Sequence, residues 1–258
     1  MLCFAKKCVI IRYIREERLP ERKRKNQIPM DNSNHGRLVV IDGLDGSGKT
    51  TQFNCLLEIL SKNHKVRGIS FPDYDMPSAT LVKMYLNGEF SQNAADVNAY
   101  AASTFYAADR YASFKLYWEK NYKDGELILA SRYVCSNAVH QMSKLPESEW
   151  DGFLEWLEDY EYDKLGLPRP DRTIILDIPV ELSQKRLSER YNGDESRKDI
   201  HESNISYMNN CRRCALYAAQ KKGWDIVSCC GADGESLSRE DITDRLLKII
   251  SEVIGPDA

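Results

Sequence analysis

The segment Gly43-Leu44-Asp45-Gly46-Ser47-Gly48-Lys49-Thr50 constrains the fold of this chain more than any other stretch. It satisfies the pattern Gly-x-x-x-x-Gly-Lys-Ser/Thr at every fixed position. Glycines let the backbone curl until its N–H groups point inward at phosphate oxygens. A helix that starts where the loop ends adds the partial positive charge of its N-terminus. In that arrangement Lys49 reaches the outer phosphates of a nucleotide, and the Thr50 hydroxyl can ligate Mg²⁺. By chance, on the order of one chain in a hundred of this length would match, so the flanks decide. Leu38-Val39-Val40-Ile41 is a short apolar run with three β-branched residues and reads as a buried parallel strand. Phe53, Leu56, Leu57 and Leu60 recur at i, i+3, i+4 and i+7, a helix with one apolar face. Strand, loop and helix in succession are the context the pattern requires.

The chain has 258 residues, 42% hydrophobic and 29% charged, the balance of a soluble globular protein with a substantial core. No apolar run approaches the ~18 residues of a membrane helix, so no membrane partner is expected. Charge is unevenly spread. Residues 1–36 hold nine Lys/Arg and four Asp/Glu, which leaves −8 on residues 37–258 within a total of −3. An acidic body argues against nucleic-acid binding by charge. The basic segment divides the chain into a leader, 1–36, and a body, 37–258. Arg22-Lys23-Arg24-Lys25 fits a nucleic-acid or membrane-surface patch, but blocks of like charge are most often solvated and disordered. Cys8-Val9-Ile10-Ile11 is too short for a signal-peptide core, and no small-residue cleavage pattern follows it. Met30 fits a translation start just ahead of the first strand. Among the eight cysteines, Cys211-x-x-Cys214 and Cys229-Cys230 are the only clusters. No partner pair follows at zinc-finger spacing, so they read as reduced structural thiols of a cytoplasmic protein.

Downstream, strands alternate with helices. Lys65 to Ser70, Leu127 to Ala130, Arg172 to Asp177 and Asp225 to Val227 read as four more strands. Residues 94–120 read as one long helix, and further helices are expected over 150–160, 181–190 and 208–221. A last helix starts near Ser238, where Ser238-x-x-Asp241 resembles a capping box. The expected fold is α/β: a five-stranded parallel sheet of the P-loop NTPase type, with helices on both faces.

Four segments in order give the chain a specific resemblance, over about residues 37–254, to the thymidylate kinase family of P-loop nucleoside monophosphate kinases. They are the Gly43–Thr50 loop with Asp45 inside it, Phe71-Pro72, Ala107-Ala108-Asp109-Arg110, and Arg132-Tyr133-x-x-Ser136-Asn137. The resemblance implies ATP-dependent phosphorylation of dTMP to dTDP, on the way to dTTP. Donor ATP would lie on residues 43–51, from Gly43 and Leu44 to Thr50 and Thr51. Arg110 and Arg132 would hold the acceptor monophosphate, since the planar guanidinium contacts two oxygens at once. Tyr106 would stack on thymine, with Phe105 as the fallback, and Phe71 would line the site. Asp45 would approach the deoxyribose 3′-hydroxyl. Ser136, Asn137 and Gln141 would line the base pocket, and His140 would crowd a ribose 2′ position. Lys49, Arg132 and a lid bearing Arg186, Arg190 and Arg197 would carry catalysis, because Gly46 stands where some members have a loop arginine. A homodimer is the expected assembly.

The residues by themselves leave other readings open. Tyr106, Phe105 and Phe114 also fit the core face of an amphipathic helix. Arg110 after Asp109 also fits a surface ion pair of little energetic weight, and His140 an ordinary hydrogen-bonded histidine. Arg186 and Arg190 fit a solvated helix, although like charges at i, i+4 favour an anion between them. One departure concerns the metal. The family usually has Asp before Arg132, and this chain has Ser131. Ser131 can meet Mg²⁺ only through a bound water, and Asp177 at the end of the fourth strand is the next carboxylate. The departure keeps open a related kinase for another deoxynucleotide or deoxynucleoside, or a catalytically impaired nucleotide-binding homologue. Removing residues 1–29 is expected to leave turnover and melting temperature unchanged. A lower melting temperature of the truncated protein would show that the leader packs on the body.

Overall fold

The computed structural model describes residues 35–91, 93, 96–194, 204–231 and 233–255. The expected leader up to residue 34, with its basic block and Met30, lies outside the described residues, as does Arg197. The sheet has five parallel strands: β1 (Leu38–Gly43), β2 (Val66–Ser70), β3 (Leu127–Ser131), β4 (Arg172–Asp177) and β5 (Asp225–Ser228). Their spatial order is β2-β3-β1-β4-β5. All six residues of β1 are buried, as a strand covered on both faces must be.

The period of two divides β1 between two cores. Val39 and Ile41 pack with Leu56 and Leu60 of α1 (Lys49–Leu60) and with Leu246 and Ile250 of α9 (Arg239–Ile254). Leu38 and Val40 pack on the opposite face with Phe114, Trp118, Phe153 and Leu157. The expected capping box closes the start of α9: Asp241 N–H donates to Ser238 Oγ at 3.0 Å.

The helix expected over 94–120 is broken into three pieces. Helix α3 (Ala99–Ser113) runs into a π turn (Phe114–Trp118) and then α4 (Glu119–Lys123). The wider turn keeps both Phe114 and Trp118 buried, their rings 4.6 Å apart. A second π turn (Asp159–Lys164) follows α6 (Trp150–Glu158). Two short helices, α2 (Thr80–Leu86) and α5 (Cys135–His140), have no clear sequence signature because neither completes two apolar turns. The remaining helices are α7 (Val180–Arg190) and α8 (Ile205–Lys222). Among the described residues, no helix is long and apolar enough to cross a membrane.

Register decides what the fold offers for chemistry. Ile41 pairs with Ser131 and Gly43 with Leu176. The C-terminal tips of β1, β3 and β4 therefore open at one edge of the sheet. This is the edge at which open α/β sheets bind ligands.

Candidate active site

A cavity of about 360 Å³ opens at this edge. The loop between β1 and α1 forms one end of it, and the start of that helix is left open to an anion. Gly48 caps α1 at φ 94°, and no side chain caps the first N–H groups, so they remain free for an anion. Gly46 stands at φ 78°, and a Cβ there would lie 2.7 Å from the Ser183 carbonyl oxygen. Glycine is required there by conformation and by the close approach of α7. Ser183 of α7 also donates from Oγ to the Asp45 carbonyl at 2.5 Å.

Lys49 is 8% exposed and folds back over the loop. Its Nζ donates to the carbonyls of Gly43 (2.9 Å) and Leu44 (2.7 Å) and lies 3.5 Å from Asp45 Oδ1. Burial, together with the charge of Arg132, holds the ammonium down at about 8, against the pull of Asp45 and Asp42. For Asp45, burial works against ionisation, but Arg132, Lys49 and His140 outweigh it and hold the carboxyl well below the usual range.

Arg132 follows β3 at φ 67°, a left-handed conformation that non-glycine residues seldom adopt. Such conformations cost about 1–3 kcal/mol and cluster at functional sites. Its backbone N–H donates to the Ile41 carbonyl at 2.9 Å. Its guanidinium donates to Asp45 Oδ1 at 2.5 Å and approaches His140 Nε2 at 3.0 Å and Asp42 Oδ1 at 3.5 Å. Asp42, fully buried at the tip of β1, completes the network. It accepts from Gly43 N–H at 2.8 Å, Ser136 Oγ at 2.5 Å and Cys135 Sγ at 3.2 Å. His140 is thus tied to Arg132 as well as lining the cavity.

The far end of the cavity has a different electrostatic character. Arg110 is 1% exposed and forms a two-point pair with the fully buried Glu161, Nε to Oε2 at 2.7 Å and Nη2 to Oε1 at 2.6 Å. Asn137 Nδ2 joins the same carboxylate at 3.0 Å. Arg110 is therefore not in a surface pair with Asp109, which instead accepts from Asp73 N–H and Ser78 Oγ. The Arg110 charge is matched by Glu161, and Arg110 lines the cavity. Tyr106, one turn before Arg110 in α3, lines the cavity and meets Tyr85 edge-on at 6.4 Å. Phe105 points elsewhere, against Phe90 at 5.3 Å. Phe71, Ser136 and Gln141 also line the cavity. Gln141 Oε1 is a buried acceptor with no partner among the described residues.

Of the expected lid, Arg190 lines the cavity from the last turn of α7. Arg186, one turn earlier, lies over the outside of the loop, 3.5 and 3.4 Å from the Gly46 and Ser47 carbonyls and 3.2 Å from Ser236 Oγ. Thr50 and Ser131 both line the cavity, whereas Thr51 is exposed in the first turn of α1. Asp177 is corrected as a metal candidate. Arg212 of α8 holds both its oxygens, at 2.7 and 2.9 Å. Among the described residues no cluster of three metal-ligating side chains exists, and the described cysteines are free thiols. Burial pushes up the thiols of Cys135, Cys211, Cys214, Cys229 and Cys230, that of Cys211 to about 11.

Two residues central to this geometry were not singled out from sequence. Asp42 had a signal, a charge ending an apolar strand run immediately before Gly43. Glu161 had none. It sits among Glu158, Asp159 and Asp163, and only the π turn selects which acid faces inward.

The profile of the thymidylate kinase family matches residues 41–231. A thymidylate kinase of Mycobacterium tuberculosis (strain H37Rv) is 30% identical over 195 residues, 72% of this chain and 87% of that protein. One from Schizosaccharomyces pombe is 25% identical over 228 residues, covering 87% and 96%. The structure of a Candida albicans thymidylate kinase shares the fold, with a TM-score of 0.64 at 24% identity over 85% of this chain and 93% of that one.

The depressed Lys49 predicts a pH-dependent affinity for a nucleoside triphosphate. Phosphate favours the charged ammonium, so binding must take up a proton once the free protein has lost it. Affinity should be flat below pH 8 and fall above it, approaching about tenfold per pH unit. Calorimetric titration between pH 7 and 9.5 measures this. Lys49→Arg, whose charge persists through the range, should flatten the profile.

Proposed function

The chain belongs to the thymidylate kinase family, and from that premise we propose that it transfers the γ-phosphoryl group of ATP to dTMP, giving dTDP and ADP. One observation supports this reading above the others. A single cavity joins a phosphate loop at one end to a charge-neutral, hydrogen-bonding floor at the other, with Arg132 between them. A substrate carrying a phosphate on one side and an uncharged base on the other fits that polarity.

Transfer is in line and needs little covalent chemistry from the protein, so positioning and charge stabilisation supply the rate. The loop N–H groups and Lys49 take the donor phosphates, and Lys49 exchanges its carbonyl partners for phosphate oxygens. Arg132, already held by Asp42 and Asp45, meets the acceptor phosphate. That phosphate is ionised at neutral pH, so no general base is required. Arg190, at the cavity mouth, meets charge that develops on the transferred group. Thr50 would hold Mg²⁺ together with the nucleotide phosphates, with Ser131 meeting it through a water. This donor set fits, because Mg²⁺ is commonly bound by few protein ligands plus substrate phosphates. When bound, Mg²⁺ would supply charge neutralisation of the phosphates.

At the other end Tyr106 stacks on the base, and Arg110 and Asn137 meet its edge. This replaces the phosphate role expected for Arg110. His140 crowds a ribose 2′-hydroxyl. The reduced thiols fit a cytoplasmic enzyme, and a homodimer would cover the exposed Tyr111, Leu116 and Tyr117.

ADP production with a panel of nucleoside monophosphates tests the reading, and turnover with dTMP should exceed that with every other nucleotide. Absence of turnover with dTMP overturns it. Arg190→Ala should lower kcat by roughly 10²–10⁴ with little change in dTMP dissociation. Tyr106→Ala should weaken dTMP binding by ~1–3 kcal/mol, the range for a base stacked on an aromatic ring. Unaltered binding would place that ring in the core.

A further inference from the structure

Glu161 does not line the cavity, yet two residues that do are fixed by it. Asn137 has two N–H donors. One goes to Glu161 Oε1 at 3.0 Å and the other to the Ser103 carbonyl at 3.3 Å. Both partners are acceptors, so the amide has one orientation: nitrogen toward Glu161, Oδ1 left for the cavity. Among the described residues nothing donates to that Oδ1. Arg110 has five N–H groups and no acceptor. Two go to Glu161 and one to the Tyr133 carbonyl at 3.3 Å. That leaves donors for the cavity without a net charge behind them.

We propose that Glu161 is the positioning residue that sets the hydrogen-bond polarity of the base floor, through its joint hold on Arg110 and Asn137. This rests on the dTMP reading above and deepens it. With Glu161 in place the floor offers a donor from Arg110 beside an acceptor from Asn137. The edge it matches carries a carbonyl next to a ring N–H, as thymine and uracil do. Cytosine carries an amino group next to a bare ring nitrogen, so both contacts would be mismatched. A site built this way discriminates strongly, because the wrong base leaves buried polar groups unpaired. The same carboxylate cancels the Arg110 charge, which would otherwise draw the phosphate end of the substrate to the wrong side.

Glu161→Gln preserves shape but introduces an N–H₂ that can face Asn137. Whichever way the new amide lies, its N–H₂ opposes either Arg110 Nε–H or the Arg110 Nη2 and Asn137 Nδ2 donors that share Oε1, so the floor loses its fixed pattern of donor and acceptor. The expected result is a ratio of kcat/KM for dTMP over dCMP lowered at least tenfold, through a raised KM for dTMP, with kcat within about threefold of the starting protein. Glu161→Asp keeps the charge but withdraws it by one methylene, and should shift the ratio in the same direction by less. It also serves if the Gln variant does not fold. Both substrates are measured on one preparation, so the ratio cancels the amount of folded enzyme, and a merely structural role would leave it unmoved. An unchanged ratio in a variant that turns over dTMP overturns the role of Glu161 alone. Failure of the unmodified protein to phosphorylate dTMP overturns the reading beneath it.

Discussion

The active-site edge of this molecule is organised around one fully buried carboxylate, Asp42. It sits at the last turn of β1 before the phosphate loop and touches three separate pieces of chain. Its own strand end is held through Gly43 N–H, the end of β3 through Arg132, and the start of α5 through Ser136 and Cys135. A buried carboxylate without such partners would be strongly disfavoured. The requirement works in both directions: the partners satisfy the buried Asp42 oxygens, and Asp42 fixes where the partners stand. Arg132 adopts its left-handed backbone next to this anchor, which is how a strained conformation persists in a folded protein.

The two ends of the cavity meet opposite electrostatic demands with the same residue types. Near the loop, Lys49 and Arg132 meet the Asp42 and Asp45 carboxylates, and Arg190 adds a further cation to the cavity lining. At the floor, Arg110 is matched one to one by Glu161, and no charge is left over. Buried pairs of this kind are not reliably stabilising against an apolar core. Their persistence here is better explained by what the pair presents to a ligand. Geometry separates the two cases: Arg110 is paired at two points beneath the cavity wall, whereas Arg190 ends a helix at its mouth.

The missing carboxylate at Ser131 fits the same logic. Ser131 pairs in register with Ile41, so it stands beside the buried Asp42. Asp177, two strands away in space from Ser131, is taken up by Arg212 and serves the packing of α8 on the sheet. Thr50 and Ser131 line the cavity with hydroxyls rather than carboxylates.

Local patterns in the sequence determined the five strands, their parallel arrangement, the phosphate loop, the cap of α9 and the placement of Lys49, Thr50 and Tyr106. Each depends on residues within a turn or two of one another, so periodicity and turn chemistry suffice. Tertiary structure alone decided the rest. It broke the helix expected over 94–120 at a π turn, because burying both Phe114 and Trp118 took precedence over helical regularity. It paired Arg110 with Glu161, which lies 51 residues away in sequence. It placed Arg186 outside the loop and Arg190 inside the cavity, although both share one helix. A charge pair across such distances has no local signature, since what selects it is the cost of burying either member alone.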